Sequence, residues 1–331
     1  MVVFWVAFIF LILILLALDL GVFHRHEHVI RSKEALLWTA FWIGISLLFN
    51  LFIYFAYENH WLGIGFHHDE IKSGTDAALK YFTGYIIEES LSLDNIFVIA
   101  IIFSYFKVPP LHQHRVLFWG IVGAQIMRGV MIGAGTALIS RFSWMIYVFG
   151  VLLLLTALRM LFTRQQEIEP HKNYLVRLAK KIYPVTNDYE GSKFFTRLGN
   201  RRAITPLLLV LLVIESTDVL FAIDSIPAIF AVTTDPFIVF TSNIFAILGL
   251  RSLYFALVAM INKFRYLKFS LVLILAYVGI KMILSHYFTI PIIKSLLIIV
   301  IILGTGIITS ILADYKNSVK RKEVVQDNNA E

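Results

Sequence analysis

The sequence predicts an all-α polytopic membrane protein of about nine transmembrane helices, including an inverted repeat of two three-helix units. Three observations carry that prediction. The 331 residues are 59% hydrophobic and 15% charged, against about 45–50% apolar in ordinary soluble domains. Apolar runs long enough to span a bilayer, roughly 20 residues as a helix, recur from one end to the other. Two acidic stretches inside those runs, "SLDNIFVIAIIF" at 92–103 and "STDVLFAIDSIP" at 216–227, share a pattern.

The runs fall at 2–20, 35–55, 78–106, 116–139, 143–163, 203–232, 237–261, 265–286 and 291–313. The first has no basic leader and no clear small-residue cleavage site, so it reads as a retained helix rather than a signal peptide. The fourth is striped with Gly120, Gly123, Gly129, Gly133 and Gly135, a pattern that lets helices approach closely. The loop at 164–202 contains "HKNYLVRLAKKIYP", a basic, amphipathic helical pattern suited to anionic lipid. The polar tail at 316–331 is expected to be disordered. Residues 1–315 thus form one transmembrane domain, with repeat one at about 78–163 and repeat two at about 203–286.

Charge orients the chain. With the N-terminus outside, the inward loops and the C-terminal tail hold 22 Lys and Arg residues and the outward loops four, Lys72, Lys80, Arg141 and Lys294. Basic residues are retained on the cytoplasmic face. The pI of 9.4 is therefore a topology signal rather than a nucleic-acid signal. The expectation is a multi-pass protein of the bacterial plasma membrane, N-terminus out and C-terminus in. The chain has no cysteine, which excludes disulfides and thiolate metal sites.

The repeat rests on register. Ser92 falls on Ser216, Asp94 on Asp218 and Phe97 on Phe221, and the following span in each half supplies an arginine, Arg128 or Arg251. The Asp-to-Arg separations are 34 and 33 residues. Three helices per unit is an odd number, so the second unit enters from the opposite side. Secondary transporters use this plan and hold their substrate near the midplane between repeats. Asp94 and Asp218 both fall close to the middle of their spans.

Helical spacing puts Glu88, Ser92 and Asn95 on one stripe, with Asp94 one step round. Glu215 and Asp218 share a face of the sixth span. Asp224 would point away on an unbroken helix, but Pro227 cannot donate to the carbonyl of Ile223, so a break beside Asp224 is expected. Each ionisable residue at a membrane-helix centre costs roughly 2.5–3.5 kcal/mol on insertion scales. Arg128 and Arg251 can act as ion-pair partners that hold helices together, yet two arginines cannot neutralise Glu88, Glu89, Asp94, Glu215, Asp218 and Asp224. The surplus negative charge wants a cation. Repeat alignment ranks Asp94 above Glu88 and Glu89, which have no counterpart in the second half.

The donors are hard oxygens: carboxylates, hydroxyls and the amides of Asn95, Gln125 and Asn243. Such ligands suit Mn²⁺, Mg²⁺ or Ca²⁺ rather than Cu(I) or Zn²⁺. "HRHEH" at 24–28 and the outer-loop His60, His67 and His68 read as solvated clusters, and no HExxH occurs. Asp19, at the inner end of the first span, is either a helix-end charge or an entry ligand. Moving a divalent cation out against an inside-negative potential costs roughly 4.6 kcal/mol per 100 mV. The chain has no ATP-binding motif, so export must be coupled, most simply to protons on the same carboxylates. No nucleophile–base pair or cofactor fingerprint points to an enzyme. Nothing is expected to be permanently bound, and the expected partners are a divalent cation, protons and membrane lipid, not nucleic acid.

The chain resembles the TerC family of integral membrane proteins, which includes the alkali-induced Alx proteins. The stretches that carry the resemblance are "ALDLGVFHR", "WTAFWIGISLLFN", "EESLSLDNIFVIA" and "ESTDVLFAIDSIPAIFAVTTDPFIVFTSNIFAILGLRSLYF", within a matching helix pattern over residues 10–313. The resemblance implies a membrane metal-ion transporter, with manganese export as the activity and tellurite resistance as the historical label. It also implies that Glu88, Glu89, Asp94, Asn95, Glu215, Asp218 and Asp224 carry the ion, with Asn243 as a polar neighbour. A ring of carboxylates does not suit an oxyanion such as tellurite. The alternative reading is an assembly or metallation factor docking through the basic loop.

Overall fold

The computed structural model describes residues 2–21, 32–64, 71–162, 173–199, 201–258, 267–287 and 290–328. Ten helices account for nearly all of it: α1 (Val2–Gly21), α2 (Ser32–Glu58), α3 (Gly74–Tyr105), α4 (Pro110–Arg141), α5 (Met145–Phe162), α6 (Tyr174–Ile182), α7 (Pro206–Phe230), α8 (Pro236–Val258), α9 (Leu267–Leu284) and α10 (Ile292–Asn328). Seven of them, α2, α4, α5 and α7–α10, are long and apolar enough to cross a membrane. The 32-residue α3 is long enough too, but its centre carries Glu88, Glu89 and Asp94. The apolar stretch of α1 runs over Val3–Leu18. "HRHEH", His67 and His68 lie outside the described residues, as does the side chain of Asp19 near the end of α1.

Local chemistry sets the helix ends. Ser73 caps α3 by accepting from the Asp76 amide at 3.2 Å, as N-cap hydroxyls do for otherwise unpaired amides. Pro110 and Pro206 open α4 and α7, where a missing N–H costs nothing. Asp235 caps α8 through the amides of Phe237 and Ile238 at 2.9 and 3.1 Å. Its other oxygen accepts from the Tyr57 hydroxyl at 3.0 Å, so this fully buried carboxylate ties the end of α2 to the start of α8.

The packing has α8 at its centre, sheathed by α2, α3 and α4 and buried along most of its length. The other main pairings are α5 on α9, α4 on α7, α2 on α3, α3 on α7 and α9 on α10. Exchanging the triplet α3, α4, α5 with α7, α8, α9 carries α3–α8 onto α7–α4 and leaves α4–α8, α3–α7 and α5–α9 as they are, while the pairings of α2 and α10 lie outside the exchange. Where α5 crosses α9, Gly150 and Gly279 meet; a Cβ on Gly279 would sit 2.9 Å from the Gly150 carbonyl oxygen. This glycine contact brings the two backbones together, as small residues do between membrane helices.

Three features depart from the expectations. Helix α7 runs through Pro227 without a break. The turn around Pro227 is buried against its neighbours, with Ser225, Ile226, Ala228 and Ile229 all inaccessible, so one absent hydrogen bond does not open the helix. The tail expected to be disordered continues α10 to Asn328; "SVKRKEVVQDN" is rich in helix-forming charged residues. The loop before α7 holds the amphipathic α6, as its sequence predicts, but also an antiparallel hairpin of β1 (Phe195–Leu198) and β2 (Arg201–Ile204). The strands turn at Gly199, whose φ of +59° lies in the left-handed region that glycine adopts freely.

This segment is fastened to the bundle. The Tyr189 hydroxyl donates to the Phe106 carbonyl at 2.7 Å, and Arg115 donates to Ser192 at 3.1 Å. Val176 of α6 is buried, while Leu178, Ile182 and the basic Arg177, Lys180 and Lys181 remain exposed.

Candidate functional site

Four helices converge on one guanidinium. Arg128, on α4 and 1% exposed, donates from Nε to Asp218 Oδ2 at 3.2 Å and from Nη2 to Oδ1 at 3.0 Å. This is the two-pronged geometry that gives arginine–carboxylate pairs their strength. Its Nη1 pairs with Glu88 of α3 and also reaches Ser225 Oγ at 3.3 Å and Asn243 Oδ1 at 3.4 Å. The Asn243 amide in turn donates to the second oxygen of Glu88 at 2.9 Å. Glu88 and Asn243 are wholly buried, so every polar edge of Glu88 is spoken for inside the protein.

Helical period explains the selection. Glu88 and Asn95 share the buried stripe of α3, with Ser92 between them, all three at most 4% exposed. Asp94, six residues from Glu88, turns about 120° away at 100° per residue. On α7, Asp218 and Ser225 are seven residues apart, two turns on one face. Ser225 was missed in the sequence, although that spacing could have flagged it.

Beside the ion pairs lies a cavity of about 20 Å³, enough for one water-sized occupant. Asn95, Thr217 and Asp218 give it a polar edge, and Gly120, Ala124 and Phe221 line it elsewhere. The Asn95 side-chain oxygen is buried with no hydrogen-bond partner. Glu215 stands one turn before Asp218, its carboxyl pressed onto Gly123 of α4, where any Cβ would overlap it. Glu89 is half-buried beside Tyr85, with Oε2 inaccessible and unpartnered. Gln125 is buried as well, its Nε2 unpartnered.

The remaining candidates lie apart. Asp94 sits in the field of Lys268 on α9, outside the Arg128 cluster, so the acid that repeat alignment favours is not the one facing Asp218. Asp224 points away from Asp218, as an unbroken helix requires, and accepts from Thr156 of α5 at 2.7 Å. Arg251 is buried on α8 with its Nη1 3.4 Å from His114 Nδ1. Among the described residues, no group of three or more His, Asp or Glu side chains converges as a metal site. Arg128 stands between Glu88 and Asp218 and pairs with both.

Comparison with known proteins gives the fold a family. The model of the Integral membrane protein TerC family matches residues 73–321. The chain belongs to the TerC family. It is 47% identical over 308 residues to an uncharacterized membrane protein of Myxococcus xanthus, covering 93% of this chain and 92% of the relative. A membrane protein of Rickettsia bellii is 43% identical, over 96% of this chain and 99% of its own. The Salmonella typhi protein named "Putative membrane-bound redox modulator Alx" is 41% identical, over 97% and 96% of the two chains. No solved structure matches. This TerC-family chain is thus an integral, multi-pass membrane protein, and its family match spans every helix that builds the Arg128 cluster.

Proposed function

We propose that this TerC-family protein exports a divalent metal cation, Mn²⁺ as the favoured cargo, in exchange for protons, through the carboxylates gathered around Arg128. One observation carries the reading. Arg128 pairs with Glu88 of α3 and Asp218 of α7, and Glu89 and Glu215 sit in the fields of Glu88 and Asp218 respectively, more carboxylates than one guanidinium balances. Buried charge of one sign in a bilayer is costly, and hard oxygen donors select hard divalent ions. Asn95, Asn243, Ser225 and Thr217 add neutral oxygens that a partly dehydrated cation can use.

The helix pairings support an inverted repeat of α3–α5 with α7–α9, and the distribution of basic residues supports an N-terminus outside the plasma membrane and a C-terminus inside. In that orientation the segment bearing α6 and the hairpin faces the cytoplasm. The redox designation of the Alx relatives finds no thiol here, since the chain has no cysteine.

The test is flux through purified protein in liposomes loaded with Mn²⁺, Fe²⁺, Ca²⁺ or Mg²⁺, with internal pH recorded. Glu88→Gln and Asp218→Asn should each abolish Mn²⁺ movement, and protons should run counter to it. Unchanged Mn²⁺ flux in both variants would remove the site. Flux that leaves pH unmoved would remove the proton coupling.

A further inference from the structure

The cluster is arranged less like an empty metal site than like one already filled by a cation of the protein's own. The guanidinium is bound by carboxylates from two helices, an amide and a hydroxyl, the mixture of hard oxygens a metal ion would take. A cation cannot ligate both Glu88 and Asp218 while Arg128 bridges them. The two carboxylates are not held alike, however. Glu88 is fully buried, and Asn243 grips its second oxygen. Asp218 keeps 13% of its side chain exposed and borders the cavity that Asn95, whose side-chain oxygen has no hydrogen-bond partner, also lines.

We infer that Arg128 is a tethered counter-cation for the transport site, and that a divalent ion loads by taking Asp218 from Arg128 in the cavity beside Asn95. This rests on the cation-transport reading and adds to it a competition. With Arg128 in place, Glu88 and Asp218 together keep one negative charge. With a divalent ion on Asp218 and Arg128 kept by Glu88, the group carries one positive charge. Either way a single unit of charge is left, so the metal-free carrier, with one proton bound, can change conformation. Arginine suits the role because its fork binds two carboxylates at once and stays charged. The exposed edge of Asp218 makes it the carboxylate that exchanges, while Glu88 remains the anchor. Asn95 supplies the neutral oxygen that receives the ion.

The experiment compares binding with two modes of flux. Purified protein is titrated with Mn²⁺ while thermal stability is followed, and liposomes are assayed for net Mn²⁺ efflux and for Mn²⁺/Mn²⁺ exchange. Arg128→Gln removes the competitor, so half-saturating Mn²⁺ should fall by about tenfold or more, the factor set by about 1.4 kcal/mol. Exchange should persist while net efflux is lost, because the metal-free site, now with two uncompensated carboxylates, can no longer reorient. Asn95→Ala should raise half-saturating Mn²⁺. Weaker or unchanged binding in Arg128→Gln, or parallel loss of exchange and net efflux, overturns the inference. Should Arg128→Gln not fold, Arg128→Lys serves: a point charge that cannot fork across both acids should also lower half-saturating Mn²⁺, and an unchanged or raised value overturns the inference. If the wild type moves no divalent ion, the transport reading fails, while the binding titration still reports on the competition.

Discussion

Arg128 holds Asp218 by two parallel hydrogen bonds, Nε to Oδ2 at 3.2 Å and Nη2 to Oδ1 at 3.0 Å, between α4 and α7. The same side chain reaches Glu88 on α3, so one residue of the fourth helix locks the two acidic helices together. Asp218→Asn removes the two-pronged bond but leaves Arg128 paired with Glu88, so it should destabilise the protein by about 1–3 kcal/mol, seen as a lower unfolding midpoint in detergent. Asp94→Asn, outside this network, should leave the midpoint within about 0.5 kcal/mol of the wild type.

Gly123 is predicted to act on the site through space. A methyl group there overlaps the Glu215 carboxyl, whereas one at Gly133 meets nothing within 4 Å. Gly123→Ala should displace Glu215 and reduce Mn²⁺ flux severalfold. Gly133→Ala, on the same helix, should transport like the wild type. Equal flux in the two variants would mean that Glu215 does not need its present position.

The Tyr57–Asp235 link is expected to serve the fold alone. Asp235→Ala removes the cap of α8 and orphans the buried Tyr57 hydroxyl, for a loss of about 1–3 kcal/mol. Tyr57→Phe removes one bond and should cost less. Both should lower the unfolding midpoint while leaving the Mn²⁺ concentration for half-maximal flux unchanged. A shifted half-maximal concentration would connect this end of the bundle to the site.

Asn173 joins the segment before α7 to the acidic helix. Its side-chain oxygen caps α6 at the Leu175 and Val176 amides, 3.0 and 3.2 Å away, and its amide donates to Ser216, between Glu215 and Thr217. Asn173→Ala should release α6 and speed proteolysis within 173–199. Replacing Arg177, Lys180 and Lys181 with alanine should leave Mn²⁺ flux intact if the segment only rests on lipid. Loss of cell function with intact flux would favour a docking role.

The sequence by itself determined the class, the helices and most of the cast. Composition could only be satisfied by membrane-spanning helices, and carboxylates in the middle of apolar runs stood out because such positions are costly. Asp218, Glu88, Asn95, Asn243 and Arg128 were all legible for that reason. The amphipathic period of α6 was legible too, while the local hairpin and the helical continuation of the tail were not, because neither needs an apolar run.

What only the tertiary structure decided is which of these residues meet. Repeat alignment favoured Asp94, but helix packing turns Glu88 toward α4 and α7 and leaves Asp94 toward α9. A position along a helix is readable from sequence, whereas the azimuth that faces a given neighbour depends on how several helices pack. The continuity of α7 through Pro227 has the same origin, since burial of that turn outweighs one lost hydrogen bond. So does the role of Arg128: sequence shows a lone positive charge in a membrane helix, and only the meeting of α3, α4, α7 and α8 makes it the cation that the carboxylates already hold.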